Sequence, residues 1–438
     1  MFKSIFTNSS GILFSRILGF IRDLLSASIL GANVYSDIFF VAFKLPNLFR
    51  RIFAEGAFTQ SFLPAFSIAK YKPSFAFNTL RKFFVIILIL SIIVTLFAPY
   101  ITEILAFGFD ENSKKIAAPL IAINFYYLDF IFLVTFLASL LQYKNHFATT
   151  AFSTALLNIS LIISLLLSYN QPPLTIIYYM SFGVLIGGLL QLIAHIIVAY
   201  KYKLDKLLII GCKSKKNPEI AQKKFDKAFL PSIFGNSTAH ISAFLDTWLA
   251  TFLVSGSISY LYYANRLFQL PLALFAIATS IAIFPKLSKY LNNNQEKEAF
   301  EIIKKGFWFL FIILSIATII GFFGASFIVK LLFERGAFTH LDTINTASVL
   351  QMYMLGLLPF GIVKIFSSYL YSTHRHLKAA KISAISLGGN IILSLILIYP
   401  LGAMGLALAS TITGYILFIL TIKEFGFNNF KELISLKR

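Results

Sequence analysis

The sequence predicts an all-α polytopic membrane protein, with twelve transmembrane helices in two six-helix bundles related by an internal parallel repeat. Three observations carry this. The 438 residues are 58% hydrophobic and only 13% charged, more apolar surface than a soluble domain needs. Twelve apolar runs are each long enough, at about 20 residues, to span a bilayer. The linkers between the runs alternate between rich and poor in Lys and Arg.

The runs lie near 9–30, 34–66, 82–107, 117–142, 147–169 and 174–200, then near 228–254, 258–285, 303–332, 343–371, 379–399 and 402–422. The N-terminus and the connections at 70–82, 143–147, 200–228, 286–305, 372–381 and 422–438 hold 27 of the 38 basic residues. The alternate connections hold three: Lys114, Lys115 and Arg335. Basic linkers stay inside, so both termini are expected in the cytoplasm. The net charge of +20 is explained by these linkers and does not point to nucleic acid. The first run carries Arg16 and Arg22 without a small-residue cleavage site, so it does not read as a cleaved signal peptide. Cys212 is the only cysteine, which excludes a disulfide and a cysteine-metal site.

The repeat is legible in short segments. SFLPAFS (61–67) returns as AIFPKLS (282–288), and AFKLP (42–46) has a looser echo in ANRLFQLP (264–271). LLQYKNHFATTAFSTALLNISLII (140–163) resembles YLYSTHRHLKAAKISAISLGGNIIL (369–393), with His146 matching His376. Offsets of about 221 to 230 residues relate the halves, and six helices per half keep both copies in one orientation. Parallel repeats of this kind are a transporter signature, with the substrate path between two bundles. The expected domains are residues 1–200 and 228–438, joined by a basic cytoplasmic linker at 201–227.

With Lys330 set aside at a helix end, seven basic residues remain within the runs: Arg16, Arg22, Lys44, Arg50, Arg51, Arg266 and Lys364. Five acids remain with them: Asp23, Asp37, Glu55, Asp129 and Asp246. Each costs roughly 2.5–3.5 kcal/mol at the bilayer centre even on a lenient scale, so they must face water or one another. At about 100° per residue, Arg16 and Asp23 share a face while Arg22 lies about 120° away. Asp37, Lys44 and Arg51 fall at heptad spacing, with Glu55 one turn beyond Arg51 at ion-pair separation. Pro46 interrupts that helix, which at 33 residues is too long for the hydrocarbon core and must bend, tilt or protrude. Lys44, Arg50 and Lys364 are close enough to helix ends to snorkel. The Arg51–Glu55 pair reads equally as a gate, a structural clamp or a ligand site. Asp129 and Asp246 read equally as partners for the excess arginines or as proton or cation sites.

Arginine binds phosphate oxygens in pairs and does not deprotonate, so an excess of it suits an anionic substrate such as a diphosphate. GVLIGG (183–188) lacks the Lys-Ser/Thr of a nucleotide-binding loop. The six His form no HExxH, and HRH (374–376) is a loop. Transport is therefore expected to be passive or driven by an ion gradient or the membrane potential, with no enzymatic cofactor.

The run SRILGFIRDLL (15–25) with GANVYSDIFFVAFKLPNLFRRIFAEGAFTQSFLPAF (31–66) resembles the N-terminal signature of the MurJ (MviN) lipid II flippases. These belong to the multidrug/oligosaccharidyl-lipid/polysaccharide exporter superfamily. YYANRLFQLP (262–271) resembles the family's eighth-helix motif. The resemblance implies lipid II as substrate, alternating access, a membrane-lipid environment and an association with the cell-wall synthesis machinery. It implies a central cationic cavity of Arg16, Arg22, Arg50 and Arg266. It places Asp37 and Glu55 in the outward and inward parts of the mechanism, with Asp23 and Arg51 as further gate or ion-pair candidates. Some members have a sodium site, for which Asp246 and Asn390 are the candidates here.

Two departures stand out. Asn265 replaces the acid that often precedes the eighth-helix arginine, and the sequence stops at KELISLKR after the twelfth run. Many members have two further helices that help to form a groove for the polyprenyl tail. The expectation here is lipid-facing portals between the bundles, or a groove that is dispensable. The alternatives are a flippase for another polyprenyl-diphosphate glycan of O-antigen type, a multidrug exporter of the same superfamily, and a membrane-embedded enzyme acting on lipid-linked phosphates. A drug exporter for cations calls for an acidic cavity. The enzyme calls for a DDxxD-type cluster, and none is present.

Overall fold

The computed structural model describes residues 2–51, 57–214, 216 and 218–435, with side chains for all of these but 2–9, 230 and 234–239. No strand occurs among the described residues. In hydrocarbon each backbone polar group must be satisfied within its own segment, and helices do this. In chain order the helices are α1 (Phe2–Leu30), α2 (Val34–Phe49), α3 (Thr59–Ile68), α4 (Lys72–Leu96), α5 (Ala98–Leu105), α6 (Glu111–Phe125), α7 (Tyr127–Tyr143), α8 (Ala148–Leu167), α9 (Pro173–Lys201) and α10 (Leu204–Lys213). They continue as α11 (Glu219–Ala250), α12 (Ser257–Pro271), α13 (Ala278–Asn292), α14 (Glu296–Phe323), α15 (Ala325–Phe333), α16 (His340–Leu355), α17 (Leu357–Ser372), α18 (His376–Phe425) and α19 (Phe427–Ile434).

Eight helical stretches among the described residues are long and apolar enough to cross a membrane. They are α4, α6 with α7, α8, α9, α12 with α13, α14, α16 with α17, and α18. Together they take in nine of the twelve runs, because α18 holds two of them: Gly402, at φ 56° and ψ −132°, breaks its 50 residues between 379–399 and 402–422. That backbone region favours glycine. The other three runs fall on α1, on α2 with α3, and on α11.

The chain divides into two compact units, Met1–Phe244 and Leu245–Arg438. The two have matching interruptions. Tyr126 separates α6 from α7 as Gly356 separates α16 from α17, and Phe97 parts α4 from α5 as Gly324 parts α14 from α15. Side chains repeat as well. The Thr59 and Ser139 hydroxyls meet at 2.9 Å between α3 and α7, and those of Ser280 and Ser368 at 2.8 Å between α13 and α17.

In the first unit the core is a phenylalanine cluster. Phe58, Phe62 and Phe66 stack in series at 5.3 and 5.4 Å between ring centroids, and Phe225 stacks on Phe229 at 5.3 Å. Phe75, Phe132 and Phe136 close the cluster from α4 and α7. Lipid gives helices no hydrophobic reason to associate, so close packing of such rings and of small residues has to do it. On α1 the small residues are Gly11 and Gly19. A Cβ at Gly11 would stand 2.8 Å from Ala151 Cβ, and one at Gly19 would stand 3.4 Å from Asn158 Nδ2. Their absence lets α8 lie against α1.

Candidate functional site

Within the apolar runs of the first unit, Arg16, Arg22 and Asp23 lie on α1, Asp37 and Lys44 on α2, Arg50 and Arg51 just past its end, and Asp129 on α7. Arg22 is half-buried and reaches back to its neighbour Asp23, which is 3% exposed. Nη2 and Nε both donate to Asp23 Oδ1, at 2.6 and 3.0 Å. Arg22 Nη1 donates to Asn158 Oδ1 on α8 at 3.0 Å. Asn158 Nδ2 in turn donates to the Ser15 carbonyl at 2.9 Å. A guanidinium held by a carboxylate and an amide oxygen has its plane fixed, which suits paired recognition of an anion. Arg16, one and a half turns earlier on α1, is exposed.

α2 begins at a capping box. Asn33 Oδ1 accepts from the backbone N–H groups of Tyr35 and Ser36, and the Asn33 N–H donates to Ser36 Oγ at 2.8 Å. The cap sets Asp37, 2% exposed, in the first turn. At the other end Pro46 lies inside the helix, and Arg50 and Arg51 adopt a π-helical backbone, as do residues 57 and 58. Arg50 Nη2 and Nε donate to Asn47 Oδ1 at 2.9 and 3.2 Å. Arg51 is half-buried. Glu55, the expected partner of Arg51, lies outside the described residues.

The second unit repeats the device. Pro271 ends α12, and a π-helical segment, Leu272–Ile277, follows it. The AFKLP and FQLP segments thus place a proline before widened backbone in both halves. Interrupted helices at corresponding positions of two repeats point to a transporter's binding region, and π-bulges gather at functional sites. Arg266 lies one turn before Pro271. Its guanidinium carbon is 4.8 Å from the Tyr262 ring centroid, and Nη2 donates to the Tyr262 hydroxyl at 2.9 Å. Asn265, its neighbour, accepts a hydrogen bond from Gln269.

Asp246 and Asn390 converge on one hydroxyl. Ser410 Oγ donates to Asp246 Oδ2 and accepts from Asn390 Nδ2, each at 3.3 Å. Asn390 turns its amide nitrogen to this hydroxyl, so the oxygens that the cluster offers a hard cation are the Asp246 carboxylate and the Ser410 hydroxyl. No group of three His, Cys, Asp or Glu lies together among the described residues. Sequence reasoning missed Asn158, Asn47, Tyr262 and Ser410. The one available signal was polarity inside an apolar run, as with Asn158 in ALLNISLII.

The family profile described as "Lipid II flippase MurJ" matches residues 26–436. A relative from Helicobacter pylori (strain ATCC 700392 / 26695), named "Probable lipid II flippase MurJ", is 49% identical over 421 residues, 93% of this chain and 91% of its own. One of the same name from Buchnera aphidicola subsp. Schizaphis graminum is 36% identical over 98% of this chain and 84% of its own. Among solved structures, "Lipid II flippase MurJ, inward closed conformation" aligns with a TM-score of 0.81 at 28% identity, covering 97% of this chain and 89% of that one. An inward-facing multidrug resistance MATE family transporter of the MOP superfamily aligns at 0.74 and 12% identity, over 97% of this chain and 96% of that one, which shows the shared fold.

Proposed function

The chain belongs to the lipid II flippase MurJ family, and from that premise we propose that it moves lipid II, the undecaprenyl-diphosphate-linked peptidoglycan precursor, from the inner to the outer leaflet. It is a transporter and not an enzyme. The observation that carries the reading is the match across residues 26–436, in a chain whose arginines at 16, 22, 50 and 266 sit in the segments that resemble the family's signatures.

Arg16, Arg22, Arg50 and Arg266 hold the diphosphate. Each stays cationic in a partly dry path and offers paired donors to phosphate oxygens. Asp23 and Asn158 orient Arg22. Asp37, Arg51 and Glu55 belong to the device that opens and closes the path. The head group travels in water while the polyprenyl tail stays in lipid, and the path opens alternately to the two faces. The basic linkers support an inner-membrane protein with both termini in the cytoplasm. With the cytoplasm negative, the membrane potential favours outward travel of a net anion, by about 2.3 kcal/mol per charge for each 100 mV. Asp246 and Ser410, beside Asn390, would hold a sodium ion, which supplies a second source of drive. Lipid II delivered outside is then taken up by the cell-wall synthesis machinery.

The test is lipid II exposed on the outer leaflet of cells depleted of their own flippase. They express this protein, or its Arg16→Ala, Arg22→Ala or Arg266→Ala variant, at matched membrane levels. The wild type restores exposure and the variants do not. Failure of an abundant, folded wild type would redirect the reading to another polyprenyl-diphosphate glycan. Restoration by all three variants would keep the flippase and remove the arginines from diphosphate binding.

A further inference from the structure

Asp129 is a buried acid of the first unit that the proposed path does not use. It lies in the first turn of α7, just after the break at Tyr126, and is 8% exposed. Oδ2 accepts a hydrogen bond of 2.7 Å from Ser91 Oγ, on the fully buried Ser91 of α4. Oδ1 is buried and has no hydrogen-bond partner among the described residues. Asp23, buried to a similar depth, has the Arg22 guanidinium against it.

The ionisable groups on the elements packed against α7 do not supply the missing partner. α3 has none. On α4, Arg81 and Lys82 lie nine or more residues before Ser91, and Lys82 pairs with Asp226. On α6, Lys114 pairs with Glu103 and Glu111 at the helix start, and Lys115 lies beside it. On α9, His195 is bonded to the Gln191 carbonyl and Lys201 sits in the last turn. Asp37 and Lys44 of α2 make no hydrogen bond or ion pair with Asp129.

A carboxylate is acceptor-only. Ionised here, Asp129 would place a full charge in an apolar span with one hydroxyl donor to hold it. A buried charge of that kind is far more costly than a neutral polar group short of one hydrogen bond, and such groups neutralise instead. We infer that Asp129 is a proton-binding site of the first unit: Oδ1 takes a proton from water while Oδ2, as the carbonyl oxygen, keeps the Ser91 hydrogen bond. The proton returns to water when the α4–α7 contact opens, which changes the charge of the unit by one. This does not depend on what the protein transports.

Infrared difference spectroscopy on the full chain in lipid vesicles tests it. The wild type at neutral pH shows a protonated-carboxyl C=O band that is lost in Asp129→Asn and retained in Asp246→Asn. Ser91→Ala keeps the band and moves it to higher frequency, because a carbonyl released from a hydrogen bond stiffens. That second variant decides the matter if Asp129→Asn does not fold. A wild type without the band, or a band unmoved in Ser91→Ala and present in Asp129→Asn, would overturn the assignment. Loss of the wild-type band on adding sodium at fixed pH would overturn it in favour of a metal cation on the same oxygens.

Discussion

Asn158 takes a hydrogen bond of 3.0 Å from the Arg22 guanidinium while its own amide donates to the Ser15 carbonyl at 2.9 Å. One side chain of α8 thus grips the backbone of α1 and the cation that α1 presents, one face of the amide for each. The absence of a side chain at Gly19 admits it. In the second unit an asparagine again bridges, from α18 through Ser410 to Asp246 of α11, but toward an acid. A neutral amide serves both because it carries a donor and an acceptor.

Asn158→Ala leaves Arg22 with Asp23 and removes the contact that keeps its plane fixed. A hydrogen bond to a charged group contributes about 1.5–3 kcal/mol, so lipid II exposure per protein should fall by roughly tenfold or more. The assay of outer-leaflet lipid II at matched expression reads it. Wild-type exposure in Asn158→Ala would mean that Asp23 alone orients Arg22.

Gly11→Val tests the seat of α1 on α8. The added Cβ would stand 2.8 Å from Ala151 Cβ and 2.9 Å from its carbonyl carbon, and backbone cannot step aside as a flexible side chain can. Overpacking of this kind costs about 1–3 kcal/mol. Thermal unfolding in detergent should shift down by several degrees. Gly388→Ala is the control: nothing lies within 4 Å of its added Cβ, so the helix gains about 0.5–1 kcal/mol. Equal shifts in the two variants would show that packing at Gly11 is not what the melt reports.

Charges in apolar runs were legible because they are rare and costly there, and Arg16, Arg22, Arg50 and Arg266 stood out in the sequence for that reason. Their partners did not. Asn158, Asn47 and Ser410 are cheap enough in a span to blend in, and which of them meets a charge depends on which helix faces are apposed. Pro46 announced an interrupted helix, and the backbone widens after it and after Pro271, its echo in the second half. The breaks at Tyr126 and at Gly356, three residues before Pro359, were not foreseen. Asp129 shows the limit most clearly: spacing left it open between an arginine partner and a proton or cation site, and its contact with Ser91 depends on how α4 and α7 pack.

The cap of α6 gives a pH dependence outside the membrane. Asp110 accepts from the Ser113 hydroxyl at 2.5 Å and from the backbone N–H groups of Asn112 and Ser113. The Ser113 hydroxyl, more than the backbone bonds, holds its carboxyl below the ordinary 3.8. A carboxyl depressed in the folded state contributes stability above its unfolded value and loses it as pH falls through the folded one. Asp110→Ala should therefore cost about 1 kcal/mol at neutral pH, and the difference from wild type should vanish in acid, below 3.8. Melting curves of both proteins across that range check it. A gap that persists in acid would mean the loss comes from packing and not from the charged cap.

The Asp246, Ser410 and Asn390 cluster predicts a sodium-dependent stability. An ion bound only by the folded state stabilises it by about 2.7 kcal/mol at a hundredfold excess over its dissociation constant. Wild-type protein should melt higher in sodium chloride than in the same concentration of choline chloride, by a few degrees. Asp246→Asn removes the one formal charge of the donor set and should abolish the difference. Ser410→Ala keeps that charge but removes the hydroxyl shared by Asp246 and Asn390, so the same shift should need more sodium. The order of the two variants carries the argument. If Ser410→Ala lost the shift and Asp246→Asn kept it, the ion would be held by neutral oxygens elsewhere on α18, and Asp246 would be left as a hydrogen-bond acceptor for Ser410 alone.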